Sequence, residues 1–192
     1  MINSVWSEII RDRKKRKNYS ALFRLSEVPA KSVLLREGEI SHQAYFIESG
    51  CIRGWYNQDG KDITCQFFFE KNMVASIMSF RREEPSLFTL ETLEPSRLWI
   101  IEKDDANRIL HELCEDPHLR EMIMDAIFER SFTFMKSNLS FLKDSPKTRY
   151  LALMKERLMI IERVPQHYIA SYLGISTVHL SRLKSKIARE DS

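Results

Sequence analysis

Apolar positions along the chain change period part-way. Between Leu25 and about Glu102 they fall in short runs rich in β-branched and aromatic residues. These are Val33-Leu34-Leu35, Ala44 to Ile47, Cys51 to Tyr56, Ile63 to Phe69, Phe88 to Leu93 and Arg97 to Ile101. Turn residues separate them at Glu37-Gly38-Glu39, Ser49-Gly50, Asn57-Gln58-Asp59-Gly60 and Glu94-Pro95-Ser96. Many short strands at such regular spacing predict a β-sandwich or barrel, here a jelly roll.

After Glu102 the period is helical. Asp104 to about Glu115 reads as one amphipathic helix, ended near Asp116-Pro117. His118 to Lys143 is a long helix with two apolar stripes. Leu119, Met122 and Ala126 suit packing on the barrel. Phe128, Phe132, Met135, Leu139 and Leu142 are spaced 4, 3, 4 and 3 apart, a coiled-coil seam suited to a second copy. Ser145-Pro146 breaks this helix, and Lys147 to Ile161 forms another. At the other end, Ser4 to Tyr19 reads as a helix with Val5, Trp6, Ile9 and Ile10 on one face.

The stretch from Val164 to Lys186 carries the clearest chemistry. It reads as two short helices around a tight turn. Pro165 suits a first helical position, where its missing N–H removes no hydrogen bond. Ile169, Ala170 and Leu173 share one face, and Gly174 ends the helix because a C-terminal cap favours the left-handed conformation. Ser176 suits the N-cap of the second helix, and Leu180 and Leu183 give that helix its inward face. Thr177, His179, Ser181, Arg182, Lys184 and Lys186 are left outward. A small residue at the crossing, a glycine four positions later and a cap in register with a basic strip together predict a helix-turn-helix. Position in the motif sets Thr177, Val178, Ser181 and Arg182 against base edges. It sets Gln166, His167, Ser176, His179, Lys184 and Lys186 against phosphates.

Composition narrows the class. The 192 residues are 43% hydrophobic and 30% charged, as in a soluble globular protein. No apolar run approaches membrane-spanning length, and the N-terminus lacks a signal-peptide core. Cys51, Cys65 and Cys114 are widely separated, which favours a reducing cytoplasm over a disulfide framework. The net charge is only +3, but from Lys143 onward ten Lys or Arg face five Asp or Glu. On a helix-turn-helix, that excess points to DNA. The basic run from Arg11 to Lys17 is read as a solvated helix face.

The order of these parts resembles the family of the catabolite activator protein and the fumarate–nitrate regulator. The likeness is carried by Thr148-Arg149-Tyr150-Leu151, by Arg163 through Ile175, and by Leu180-Ser181-Arg182. It extends from about Phe23 to Ala188 and is stronger in the DNA-binding part than in the β-roll. The resemblance implies an α+β fold with an N-terminal, cyclic-nucleotide-binding-like jelly roll (residues 1–116), a dimerisation helix (117–143) and a C-terminal helix-turn-helix domain (144–192). It also implies a homodimeric bacterial transcription regulator, joined along Phe128, Phe132, Met135 and Leu139. Double-stranded DNA, a second copy, RNA polymerase and an unidentified small-molecule effector are the expected partners, with no membrane.

Two departures from the family stand out. Members that bind cyclic AMP hold its ribose and phosphate with a Gly-Glu pair and an Arg-Ser/Thr-Ala segment. Here Ala75-Ser76 and Ser86-Leu87-Phe88 stand in those places. A buried phosphate needs a charge-assisted partner. Arg81 and Arg82 could substitute, but Glu83 and Glu84 beside them oppose an anion, so loss of cyclic-nucleotide binding is the expectation. The second departure is that a β-hairpin wing beyond the recognition helix is expected to be absent or minimal.

Other chemistries fare poorly. Three scattered cysteines cannot hold an iron–sulfur cluster. His42, His111 and His118 are the histidines considered for haem and are read as surface or structural residues. Cys51 and Cys65 are expected to be core thiols on strands. With five glycines, no phosphate loop and no nucleophile elbow, neither an enzyme nor a cofactor is expected. The competing class is a jelly-roll small-molecule sensor or cupin-like protein whose C-terminal helices serve assembly only. A cupin metal site needs clustered histidines on the strands, and only His42 lies there.

Overall fold

The protein is described from a computed structural model covering residues 18–190. Among these residues, eight strands form two four-stranded sheets. The strands are β1 (Arg24–Val28), β2 (Val33–Leu35), β3 (Gln43–Ser49), β4 (Ile52–Gln58), β5 (Lys61–Phe68), β6 (Met73–Val74), β7 (Thr89–Thr92) and β8 (Ser96–Glu102). One sheet runs β1-β8-β3-β6 and the other β2-β7-β4-β5. Registered neighbours such as Tyr45 and Ile100 are antiparallel, giving the jelly-roll-like arrangement. Side-chain alternation sorts the faces. Tyr45 and Ile47 of β3 and Leu98 and Ile100 of β8 join Leu35, Ile52, Phe68, Val74 and Leu90 in a core drawn from both sheets. Ala44 and Ile101, of opposite parity, face a second core built with helices.

Those helices are α1 (Ile77–Arg82), α2 (Lys103–Glu115) and the first turns of α3 (Pro117–Lys143). Phe80, Ile109, Leu113 and Leu119 are buried there, with Met122 packed alongside. Two residues of the expected inward stripe of the long helix, Leu119 and Met122, are therefore seated on the roll, and the third, Ala126, is buried. Asp116 starts α3 by accepting from the His118 N–H at 2.9 Å, with Pro117 at the first position. The turn between β3 and β4 demands glycine, because a Cβ at Gly50 (φ +115°) would lie 2.1 Å from the Ser96 Oγ. At the start of β4, Arg53 is buried and its Nη2 meets the Glu91 Oε2 at 2.7 Å.

The chain packs as two compact units. One comprises the described residues through Arg53 together with Phe68–Phe132. The other joins Gly54–Phe67, most of the β4–β5 hairpin, to the residues from Thr133 on. Within this second unit lie α4 (Pro146–Glu156), α5 (Leu158–Arg163), α6 (Gln166–Tyr172) and α7 (Thr177–Glu190).

Several expectations are corrected. The single helix over 147–161 is two helices, divided at Arg157 (φ −140°, ψ 51°). Neither proline nor glycine marks that break. The strands β1 and β6 and the helix α1 were not expected. Pro165 is the cap of α6 rather than its first residue, because its ψ of 140° is extended. Cys51 is buried just before β4, while Cys65, on β5, is exposed and donates to the Gly54 carbonyl at 3.2 Å. Of the expected N-terminal helix, residues 4–17 and the Arg11–Lys17 run lie outside the described residues. Among the described residues, no helix is long and apolar enough to cross a membrane.

Candidate nucleic-acid interface

The candidate interface is built on α6 and α7. Ile169, Ala170 and Leu173 of the first and Leu180, Leu183 and Ile187 of the second are all buried. Ala170 is 1% exposed, so a larger side chain at this crossing would push the helices apart. Gly174 takes φ +68°. Its N–H donates to Ser171 O, and the Ile175 N–H donates to Ala170 O at 3.0 Å. This pattern closes α6 with its last carbonyls satisfied. Ser176 then caps α7 by accepting the His179 N–H at 3.1 Å.

With the apolar residues inward, Thr177, Val178, His179, Ser181, Arg182 and Lys186 are exposed along α7, while Lys184 is half-buried. Gln166 and His167 are exposed at the start of α6. Ser176, Val178, His179, Arg182 and Lys186 line one shallow concavity of about 500 Å³ with Leu183 and Lys147. Lys147 was missed in the sequence. It follows the α4 cap and pairs with Glu190 near the end of α7, and the ammonium holds that carboxyl below the usual carboxylate range. An N-terminal helix turn with exposed polar side chains and cations on the same face can approach a duplex without burying an unpaired charge.

A second missed residue positions the motif. Arg149 donates from Nη1 to Asp144 O at 2.7 Å and from Nη2 to Leu173 O at 2.8 Å. Its guanidinium lies 4.8 Å from the Phe141 ring centroid. One cation thus neutralises the carbonyl ends of α3 and α6 together, where helix dipoles favour positive charge. Arg149 fell within the resembling segment Thr148-Arg149-Tyr150-Leu151, but nothing in its spacing reveals this role.

In the roll, the segment expected to form the effector pocket is dominated by small hydroxyls. Ala75, Ser76 and Ser86 are buried, and the Ser86 Oγ donates to the Ser76 Oγ at 2.9 Å. The Ser41 N–H donates to the Ser79 Oγ at 2.9 Å. Arg81 and Arg82 are exposed on α1, where Arg81 donates to the Asn107 Oδ1 at 3.5 Å. Glu83 turns to Lys103 at 2.7 Å, and that ammonium holds its carboxyl below the usual range. The residues weighed in the sequence for holding a cyclic nucleotide are therefore split, with Ala75, Ser76 and Ser86 inside and Arg81 and Arg82 outside.

Residues 25–112 match the cyclic nucleotide-binding domain family. Solved structures extend the likeness over nearly the whole chain. The c-di-GMP-responsive global regulator CLP of Xanthomonas campestris is 16% identical, with 94% of this chain and 93% of that one covered, at a TM-score of 0.73. A CooA variant of Carboxydothermus hydrogenoformans is 13% identical over 90% and 79% of the two chains, with TM-score 0.68. The catabolite activator protein of Thermus thermophilus is 17% identical over 93% and 84%, with TM-score 0.53. The chain has the Crp/Fnr regulator fold. No curated protein sequence matches it.

The family match spans the β-roll, α1 and most of α2, and the long helix α3 follows it. Among the described residues, the second α3 stripe is exposed. Phe128, Phe132, Met135 and Leu139 are each at least half exposed, and the Phe128 and Phe132 rings lie 6.4 Å apart and nearly parallel.

Proposed function

We propose that the protein is a DNA-binding transcription regulator that acts as a homodimer on an inverted-repeat operator. The observation that carries this reading is the exposed polar and basic face of α7, set on a helix-turn-helix whose apolar face is buried. Thr177, Val178, Ser181 and Arg182 read base edges. The Arg182 guanidinium is suited to donate two bonds to guanine O6 and N7, and Val178 to touch a thymine methyl. Gln166, His167, Ser176, His179, Lys184 and Lys186 hold phosphates. For Ser176 this contact uses the hydroxyl proton, since its oxygen already caps α7.

Residues 1–116 serve as the effector domain, 117–143 as the dimerisation helix and 144–192 as the DNA-binding domain. The α3 stripe supports dimerisation because four half-exposed apolar side chains on one helix face need a cover. Ser76 and Ser86 hydrogen-bond to each other where an arginine would meet a cyclic phosphate. This supports regulation without cyclic AMP, by another effector or by none. The protein acts in the cytoplasm, with RNA polymerase as a further partner and no catalytic role.

Selection of duplexes from a random pool tests the reading. The expected product is an inverted repeat whose half-sites are about 34 Å apart, one DNA turn. A pool that shows no enrichment contradicts the proposal.

A further inference from the structure

Two charges beside the helix-turn-helix stand where their own helices disfavour them. Lys147 lies in the first turn of α4, at the helix end whose dipole favours an anion. Glu190 closes α7, at the end that favours a cation. The two side chains pair with each other. Helix stability accounts for neither, and the surface they share does. Lys147 lines the concavity along α7 together with Arg182 and Lys186. Glu190 follows Arg182 and Lys186 at steps of four residues on the same helix, so the cationic stripe of α7 ends in a carboxylate. The Lys186 ammonium also acts on that carboxylate.

The pair is open to water, with the Lys147 and Glu190 side chains 38% and 46% exposed. An exposed ion pair is weak, so a phosphate can replace the carboxylate at the ammonium with little loss. The released carboxylate returns to water, and no charge is left buried without a partner. This exchange is the same on every duplex, because a phosphate carries no sequence information.

We propose that Glu190 is a built-in competitor for the DNA phosphate at Lys147. It holds the ammonium in the free protein, yields it on binding, and lowers affinity for every duplex by a similar factor. Random DNA, bound through phosphates alone, is then released, while a site that also engages Arg182 keeps the protein. The proposal deepens the regulator reading and rests on it. Neither Lys147 nor Glu190 touches a base.

Binding of the full chain to two duplexes tests the competitor. One is selected from a random pool by the wild-type protein, and the other is its scrambled version. Glu190→Gln keeps the shape without the charge and should tighten binding to both about two- to fivefold. Lys147→Met keeps the stem and should weaken both about three- to tenfold. It should also lower the slope of log affinity against log salt by about one. In the Lys147→Met background the gain from Glu190→Gln should fall by more than half, the remainder being general repulsion between a carboxylate and the duplex. Circular dichroism checks that each variant is folded. Affinity unchanged or lowered in Glu190→Gln overturns the competitor and leaves the regulator reading intact, as does a gain confined to one duplex. An unchanged salt slope in Lys147→Met, or a gain that keeps more than half its size without Lys147, overturns it in the same way. A wild type that retains no duplex overturns the regulator reading, and the competitor with it.

Discussion

Phe132→Glu puts the proposed dimer seam under direct test. Phe132 is 50% exposed, stacked beside Phe128, with Asp125 and Glu129 lining the same shallow surface. A phenylalanine carries roughly 200 Å² of surface, so about 100 Å² is left for a partner to cover. At about 25 cal/mol per Å², that is about 2.5 kcal/mol per side chain, or about 5 kcal/mol over both copies. The substitution removes this contribution and brings a third carboxylate beside Asp125 and Glu129, which opposes burial further. The dissociation constant should rise by about three to four orders of magnitude. Sedimentation equilibrium measures this change, with circular dichroism confirming that the helices remain. Because half of the side chain already faces out, the folded monomer should persist. Affinity for a full inverted repeat should fall toward that of one half-site, since linked binding is lost. A variant that remains a dimer at the wild-type dissociation constant would remove this stripe from the interface and refute the reasoning.

Three other outcomes follow from named contacts. Arg149→Met keeps the aliphatic stem but deletes two charge-assisted bonds to carbonyls. Thermal and denaturant unfolding should show a loss of about 2–4 kcal/mol, and a loss below about 0.5 kcal/mol would mean the bonds contribute nothing net. Calorimetry with cyclic AMP and cyclic GMP should show no micromolar binding; heat of that affinity would point to Arg81 or Arg82 as the phosphate partner. Burial pushes the Tyr45 phenol up to about 12 while its hydroxyl donates to Leu34 O at 2.9 Å. The folded state therefore holds this proton to higher pH than the unfolded state does. Its contribution is complete below about pH 10 and is lost between about pH 10 and 12. Tyr45→Phe should flatten that part of the stability profile.

The parts that sequence reveals are those with strong periodicity or special backbone chemistry. In the stripe of Leu119, Met122 and Ala126, which repeats at helical spacing, the first two pack into the core between roll and helices, and Ala126 is buried. Gly174 and Ser176 announce the turn because a left-handed residue and an N-cap each favour few residue types. The strand β1 is hidden because Arg24, Ser26 and Glu27 dilute its pattern, and β6 because two residues carry no period. The break at Arg157 uses neither proline nor glycine; its guanidinium bond to Phe67, distant in sequence, accompanies it. Cys65 reads as a core residue by type, but its strand parity turns it outward. Among candidate site residues, the outward face of α7 was legible from the inward positions of Leu180 and Leu183. The guanidinium of Arg149 was not, because long-range bonds to backbone carbonyls leave no local pattern.

Arg182 offers the most direct test of the central claim, that α7 reads DNA sequence. Binding of wild type and Arg182→Ala should be compared on the selected duplex and on a scrambled duplex, over a range of salt. The account predicts that the substitution costs about 1–3 kcal/mol on the selected duplex, leaves the scrambled one nearly unchanged, and flattens preference at one base pair per half-site. Equal loss on both duplexes, with a shallower salt dependence, would make Arg182 a phosphate clamp and contradict the base-reading role of this helix.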